Sequence, residues 1–223
     1  APYCAARRDA GYDVFAWEPR NQGDSDKDAS YQPLQWVTDR DRADGRAAVA
    51  YLKSRPDAPA AGVGFFGVSK GGSVGLLLAA EDKWLTCVAT DGAYAAYTTV
   101  VPYMRRWVAI YSPYKWLQDR LPGWFYGMIG LAAMGRVEGK RGIRFLSVEK
   151  AARKLRQPLL MIHGGADTYI KPDMAAAVFD MARSKAKRFW LVEKAKHNQA
   201  VQTAGDEYPR RLVEFFDAHM PNV

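Results

Sequence analysis

The chain has 223 residues, 48% of them hydrophobic, enough for one domain with a substantial core and no need of disulfides. Its 32 Lys and Arg against 24 Asp and Glu give a net charge of +8, a balance that favours acidic partners. The excess is local, between Arg136 and Arg156, where no nucleic-acid motif accompanies it, so it reads as a solvated helical face and no nucleic-acid partner is expected. The longest strongly apolar stretch, Trp124 to Met134, is short of the roughly 20 residues that a bilayer crossing takes. No membrane span is expected, and the chain reads as soluble, with the cytoplasm as the default compartment. Cys4 and Cys87 match neither a disulfide framework nor a metal cluster, and no metal or cofactor is expected. Nothing in the sequence bears on oligomeric state.

In chain order, five short apolar runs read as buried parallel strands: 13–17, 62–66, 86–90, 158–163 and 188–193. Between the first two, residues 36–54 place Ala43, Ala47, Ala50 and Tyr51 on one helical face and stop before Pro56. Strand and helix alternation predicts an α/β fold with a mostly parallel, doubly wound sheet, whose ligands gather beyond the carboxyl ends of the strands. Residues 91–157 exceed what one crossover helix needs. They read as a helical lid inserted into a core made of 1–90 and 158–223. The lid holds most of the aromatic side chains, and Tyr94, Tyr97, Trp107 and Trp124 are candidates to line an apolar substrate pocket, with plain packing as the alternative.

Chemistry concentrates in three places. Gly67-Val68-Ser69-Lys70-Gly71 is a G-x-S-x-G match between a strand and a helix. A sharp turn there calls for glycine at 67 and 71 and leaves the Ser69 hydroxyl exposed, with the Lys70 amide at the helix start available to a developing oxyanion. A hydroxyl needs a base to take its proton. Among the histidines, His163 closes a strand and reads as structural, and His219 sits near the C-terminus. His197 emerges through a short polar loop after the last strand, at the catalytic edge. Its imidazole needs a carboxylate partner. Asp167, in the turn after the fourth run, is the best placed, with Asp91 as its rival and Asp173 reading as a helix N-terminal charge.

The segments GYDVFAWEPRNQGDSD, GVSKGG, HGGADTYIKP and AKHN resemble those of lid-bearing α/β hydrolases of the esterase and serine-aminopeptidase-like group, over nearly the whole chain. The resemblance implies a metal-free serine hydrolase working through an acyl-enzyme, with the triad on Ser69, Asp167 and His197. It also implies three strands upstream of the segment 13–17, one of them leading into the loop with the family's second oxyanion donor, and this sequence begins after them: either residues preceding Ala1 supply them, or a reduced sheet pairs 13–17 directly with 62–66. If 13–17 pairs directly with 62–66, the loop around Gln22 takes over that donor.

Other matches fail on context. Gly62-Val63-Gly64-Phe65-Phe66-Gly67 has the letters of a dinucleotide fingerprint but lies within the strand. The run from Asp39 has Ala43 where a calcium loop needs a ligand. Lys70, adjacent to Ser69, points its side chain elsewhere and forms no Ser-Lys dyad. The expected activity is hydrolysis of a small carboxylic ester with an apolar or aromatic moiety. Peptide or thioester cleavage by the same triad, and a binding role without turnover, are the alternatives.

Overall fold

The computed structural model describes residues 11–112, 114 and 120–221; Cys4 and Trp116 lie outside the described residues. Four strands, β1 (Val63–Val68), β2 (Leu85–Asp91), β3 (Leu159–Gly164) and β4 (Lys187–Val192), form one sheet in that order, each parallel to its neighbour. Eight helices accompany them among the described residues: α1 (Asp39–Ser54), α2 (Lys70–Glu81), α3 (Ala96–Tyr111), α4 (Gly123–Arg141), α5 (Val148–Ala152), α6 (Pro172–Met181), α7 (Ala200–Ala204) and α8 (Glu207–His219).

Both faces of a parallel sheet must be covered, and alternating strand residues do this here. Phe65, Val88, Leu159 and Met161 pack with Leu77 of α2, Ala152 of α5 and Val178 of α6. Cys87, Ala89, Leu160 and Ile162 face the other way, against Tyr208, Leu212, Phe215 and Phe216 of α8. β3 is buried along its whole length, as expected for a strand covered on both sides.

Helix α1 starts where its chemistry says it should. Thr38 and Asp41 form a reciprocal capping box at its N-terminus, satisfying two otherwise unpaired amides. The return of the inserted segment is anchored beside it, through Asp39 N to Arg144 O at 2.8 Å and Leu146 N to Val37 O at 2.9 Å. Within the stretch 91–157, α3 and α4 pack on each other, with Val100 lying over Gly130, whereas Val148, Ala151, Ala152 and Leu155 belong to the main core. Helix α3 begins at Ala96 with no side-chain cap of its own. The buried carboxylate of Glu149 supplies it from α5, accepting from Tyr97 N at 2.7 Å and Thr98 N at 3.1 Å.

The run 13–17 is not a strand. It is irregular backbone whose residues 13–16 are exposed, and it pairs with neither β1 nor any other described strand. A strand needs a neighbouring ladder to satisfy its amides, and among the described residues side chains tether this segment and the residue before it: Trp17 edge-on to Phe65 at 5.7 Å, Phe15 against Tyr51 at 5.7 Å and Tyr12 against Phe216 at 6.4 Å. An open groove of about 530 Å³, lined in part by Phe15, Trp17, Arg20, Asp44 and Tyr51, runs along it.

Candidate active site

The turn that carries Ser69 follows β1. Ser69 sits at φ 53°, ψ −121°, a conformation held against its intrinsic cost by the surrounding backbone. Its amide donates to the Asp91 carbonyl at the end of β2, at 2.6 Å. A Cβ on Gly67 would fall 2.5 Å from the carbonyl carbon and oxygen of Gly71, so glycine there is obligatory. Gly71 departs from the sequence-based expectation: a Cβ on it meets nothing within 4 Å. The second tight position is Gly72, whose Cβ would lie 2.9 Å from Gly67 O and 3.0 Å from Thr90 Cβ. The motif's spacing marks the turn, but helix α2 presses on the strand one residue later.

Ser69 Oγ lies 3.0 Å from His197 Nε2, and His197 Nδ1 lies 2.7 Å from Asp167 Oδ2. The other carboxylate oxygen of Asp167 accepts from the amides of Tyr169 and Ile170, both at 2.9 Å. Burial opposes ionisation of Asp167, but the hydrogen bonds from His197 and from the Ile170 amide outweigh it and hold its pKa below the usual carboxylate value. Asp167 is therefore an acceptor on both oxygens, which makes His197 Nδ1 the protonated nitrogen and leaves Nε2 to accept from Ser69.

Ser69 follows β1 and His197 follows β4, the two outer strands of the sheet, so the histidine loop must lie back across the strand ends. Two glycines permit this. A Cβ on Gly164, at the end of β3, would sit 2.4 Å from Ala195 O; one on Gly92, just past β2, would sit 3.4 Å from His197 Cε1. Gly92 also has φ +67°, and Lys194 and Asn198 take positive φ within the loop. Main-chain bonds from Ala166 N to Ala195 O at 2.9 Å and Gly165 N to Val192 O at 2.8 Å lock the acid and base loops together. Sequence reading missed these glycines as site residues, although Asp91-Gly92 and His163-Gly164-Gly165 at the strand ends carried a turn signal. Gly164→Ala is expected to cost about 1–3 kcal/mol of stability and about 10² in kcat/KM by displacing the imidazole. Gly71→Ala is expected to stay near wild type in both. Urea midpoints and ester-hydrolysis rates of the two variants check the contrast.

The Lys70 amide opens α2 and has no main-chain acceptor among the described residues. The Lys70 side chain turns away, as expected, to Asp41 at 2.7 Å and the Leu34 carbonyl at 3.2 Å. Gln22 does not join the site. It is exposed, its amide donates to Pro19 O at 3.1 Å, and neighbouring Arg20 is tied to Asp44 and Asp28. Transfer of the donor role to this loop required 13–17 to pair with β1, and it does not.

The remaining acids and histidines have other duties. His163 is fully buried and donates from Nε2 to Ile170 O at 2.8 Å; burial pulls its pKa down, keeping it neutral. The Asp91 carboxylate turns to α8, where Tyr208 donates to it at 2.7 Å. Burial pushes Asp91 up to about 6, despite the opposing Tyr208 bond and His197 charge, with Asp167 adding to the rise. Because the folded pKa exceeds the unfolded one, stability from this group falls as pH rises through that window. Asp91→Asn is therefore expected to gain on wild type, by at most about 3 kcal/mol, between about pH 4 and about pH 7, as read from paired urea midpoints.

The four expected substrate contacts separate. Tyr94 is 5% exposed and packs with Ile170 and Met174, its hydroxyl bonded to the Gln35 carbonyl. Tyr97 leans on Gly127 of α4. Trp107 and Trp124 are 59% and 63% exposed, so neither encloses a pocket in this structure. Nearer the site are Tyr169, whose ring lies 6.0 Å from that of His197, and Tyr103 of α3, whose hydroxyl bonds to the Tyr169 carbonyl.

Among known proteins, the family model described as "BAAT / Acyl-CoA thioester hydrolase C terminal" matches residues 46–200, well over half of the chain and all three triad positions. Acyl-coenzyme A thioesterase 1 of Mus musculus is 31% identical over 94 residues, 42% of this chain and 20% of that protein; the match thus spans about a fifth of the relative's length. Of solved structures, an esterase of Pyrococcus furiosus superposes over 99% of this chain and 75% of its own at a TM-score of 0.69 and 21% identity. A serine hydrolase involved in carbazole degradation does so over 84% and 74%, at 0.52 and 14%. The fold is that of the α/β hydrolases.

Proposed function

The chain belongs to the BAAT / acyl-CoA thioester hydrolase C-terminal family, and from that footing we propose that it is a serine hydrolase cleaving carboxylic esters through an acyl-enzyme on Ser69. The observation that carries the reading is the continuous chain of contacts from Ser69 Oγ to His197 Nε2 at 3.0 Å and from His197 Nδ1 to Asp167 at 2.7 Å.

In this mechanism Ser69 Oγ attacks the acyl carbon while His197 Nε2 takes its proton. The tetrahedral oxygen is stabilised by the Lys70 amide at the start of α2. Collapse expels the alcohol, protonated by the imidazolium, and water repeats the sequence to free the acid. Asp167 stays ionised throughout and steadies the imidazolium. Tyr169 and Tyr103 flank the approach and offer apolar surface to the acyl or alcohol part, while the α3–α4 hairpin acts as the lid.

A thioester substrate is the second reading, favoured by the family match. The chemistry differs only in the leaving group. Labelling with a fluorophosphonate followed by peptide mapping tests the core of the proposal: modification is expected at Ser69 in the wild type and nowhere in Ser69→Ala. An unlabelled wild-type protein would overturn it. Rates on matched oxygen and sulfur esters of one acyl chain then rank the two substrate classes.

A further inference from the structure

In an acyl transfer at Ser69, the two halves of the ester lie on different sides of the nucleophile. The acyl carbon bonds to Ser69 Oγ. The leaving oxygen takes its proton from His197 Nε2, so it comes within about 3 Å of that nitrogen, and whatever it carries extends from beside the imidazole. A ring that neighbours His197 therefore meets the leaving group before it meets the acyl chain.

Tyr169 is such a ring. Its centroid lies 6.0 Å from that of His197, with the two planes inclined by 54°. The residue is 69% exposed, and no apolar cluster among the described residues includes it, so the side chain is surplus to packing. Its main chain, by contrast, is held on both sides. The amide donates to Asp167 Oδ1 at 2.9 Å, and the carbonyl accepts from the Tyr103 hydroxyl of α3. Ile170 is fixed in the same way: its amide donates to the same carboxylate oxygen at 2.9 Å, its carbonyl accepts from His163 at 2.8 Å, and its side chain is buried with Tyr94 and Met174.

A fixed backbone thus presents an uncovered ring beside the base. A ring whose backbone is already ordered loses little freedom when a ligand covers it. Its face suits a planar, apolar group, since aromatic pairs gain from offset or edge contact beyond the area that they bury.

On the footing of the serine-hydrolase reading, we propose that Tyr169 is the platform against which an aromatic leaving alcohol stacks, and that Tyr103 is the positioning residue that holds the platform in place. The aromatic half of the substrate is then the alcohol and not the acid, and the inserted segment takes part in its selection through a hydroxyl on α3.

Paired ester series test this. The specificity constant kcat/KM reports acylation, during which the alcohol is still attached. With the acetyl group held constant, Tyr169→Ala is expected to lower kcat/KM for phenyl acetate by about three- to tenfold more than for trifluoroethyl acetate, and Tyr169→Phe to restore the difference. With phenol held constant, acetyl, butyryl and hexanoyl esters are expected to be slowed by Tyr169→Ala to one common extent. Tyr103→Phe is expected to lose part of the phenyl preference, chiefly through a higher KM. The main-chain bonds of residue 169 survive removal of its ring, so Ser69 is expected to remain reactive to a fluorophosphonate in every variant. Equal losses on the two acetates, or a loss graded by acyl length, with Ser69 still labelled, would overturn the platform and leave the hydrolase reading standing. An undiminished phenyl preference in Tyr103→Phe would remove Tyr103 from it. A wild type that is neither labelled nor active would bring down both.

Discussion

Ser69→Ala is expected to lower kcat on an activated ester by about 10⁶, and Asp167→Asn by about 10⁴, with both proteins folded and KM little changed. The first figure follows from removing the only atom that bonds to the acyl carbon. The second has a stereochemical origin. An asparagine at 167 keeps one carbonyl oxygen to receive the Tyr169 and Ile170 amides, and its NH2 then faces His197 Nδ1, where a carboxylate oxygen now accepts at 2.7 Å. Two donors cannot share that contact, so the imidazole proton moves to Nε2 and the nitrogen facing Ser69 can no longer accept. The double variant is expected to be no slower than Ser69→Ala alone, because the residues act as one unit. Initial rates, with melting temperatures as the folding control, decide the matter. A rate in Asp167→Asn within tenfold of wild type would move the acid elsewhere.

The second large effect is on stability. Lys70→Met is expected to cost about 3 kcal/mol in urea unfolding, the lower end of what breaking a buried ion pair costs. Asp41 is 5% exposed, and the Lys70 ammonium at 2.7 Å is its ionic partner. Removal leaves a carboxylate that cannot return to water. The figure stays at the lower end because Thr38, through its amide and hydroxyl, donates to the same carboxylate at 2.8 Å, and the Tyr31 hydroxyl approaches it at 3.3 Å. Turnover well below the melting point is expected to change far less than stability, because the Lys70 group that faces the reacting oxygen is its amide.

Much of this architecture was legible before any coordinates. The four runs that became strands are flanked by turn residues and backed by helices that bury them. The chain order of serine, aspartate and histidine then follows from the strands that carry them. What failed did so for want of long-range information. Residues 13–17 have a strand's composition, yet a strand exists only through its neighbour, and β1 does not take them as a partner. The choice between Asp91 and Asp167 turns on a tyrosine 117 positions away that claims the Asp91 carboxylate. At 92 and 164 the Asp-Gly and His-Gly-Gly patterns signal turns, but the Ala195 carbonyl that forbids a Cβ at Gly164 comes from a loop about thirty positions on, and that approach is not written in the local pattern.

The Ser69 hydroxyl and the His197 imidazole, the proposed nucleophile and base, are 128 residues apart in the chain and ride on opposite borders of the β layer. Every strand in between must be in place before the two can touch, so catalysis works as a whole-molecule reporter. Loosening of either border is expected to silence turnover before helical signal is lost, and the temperature at which the rate collapses measures the weaker flank of the sheet.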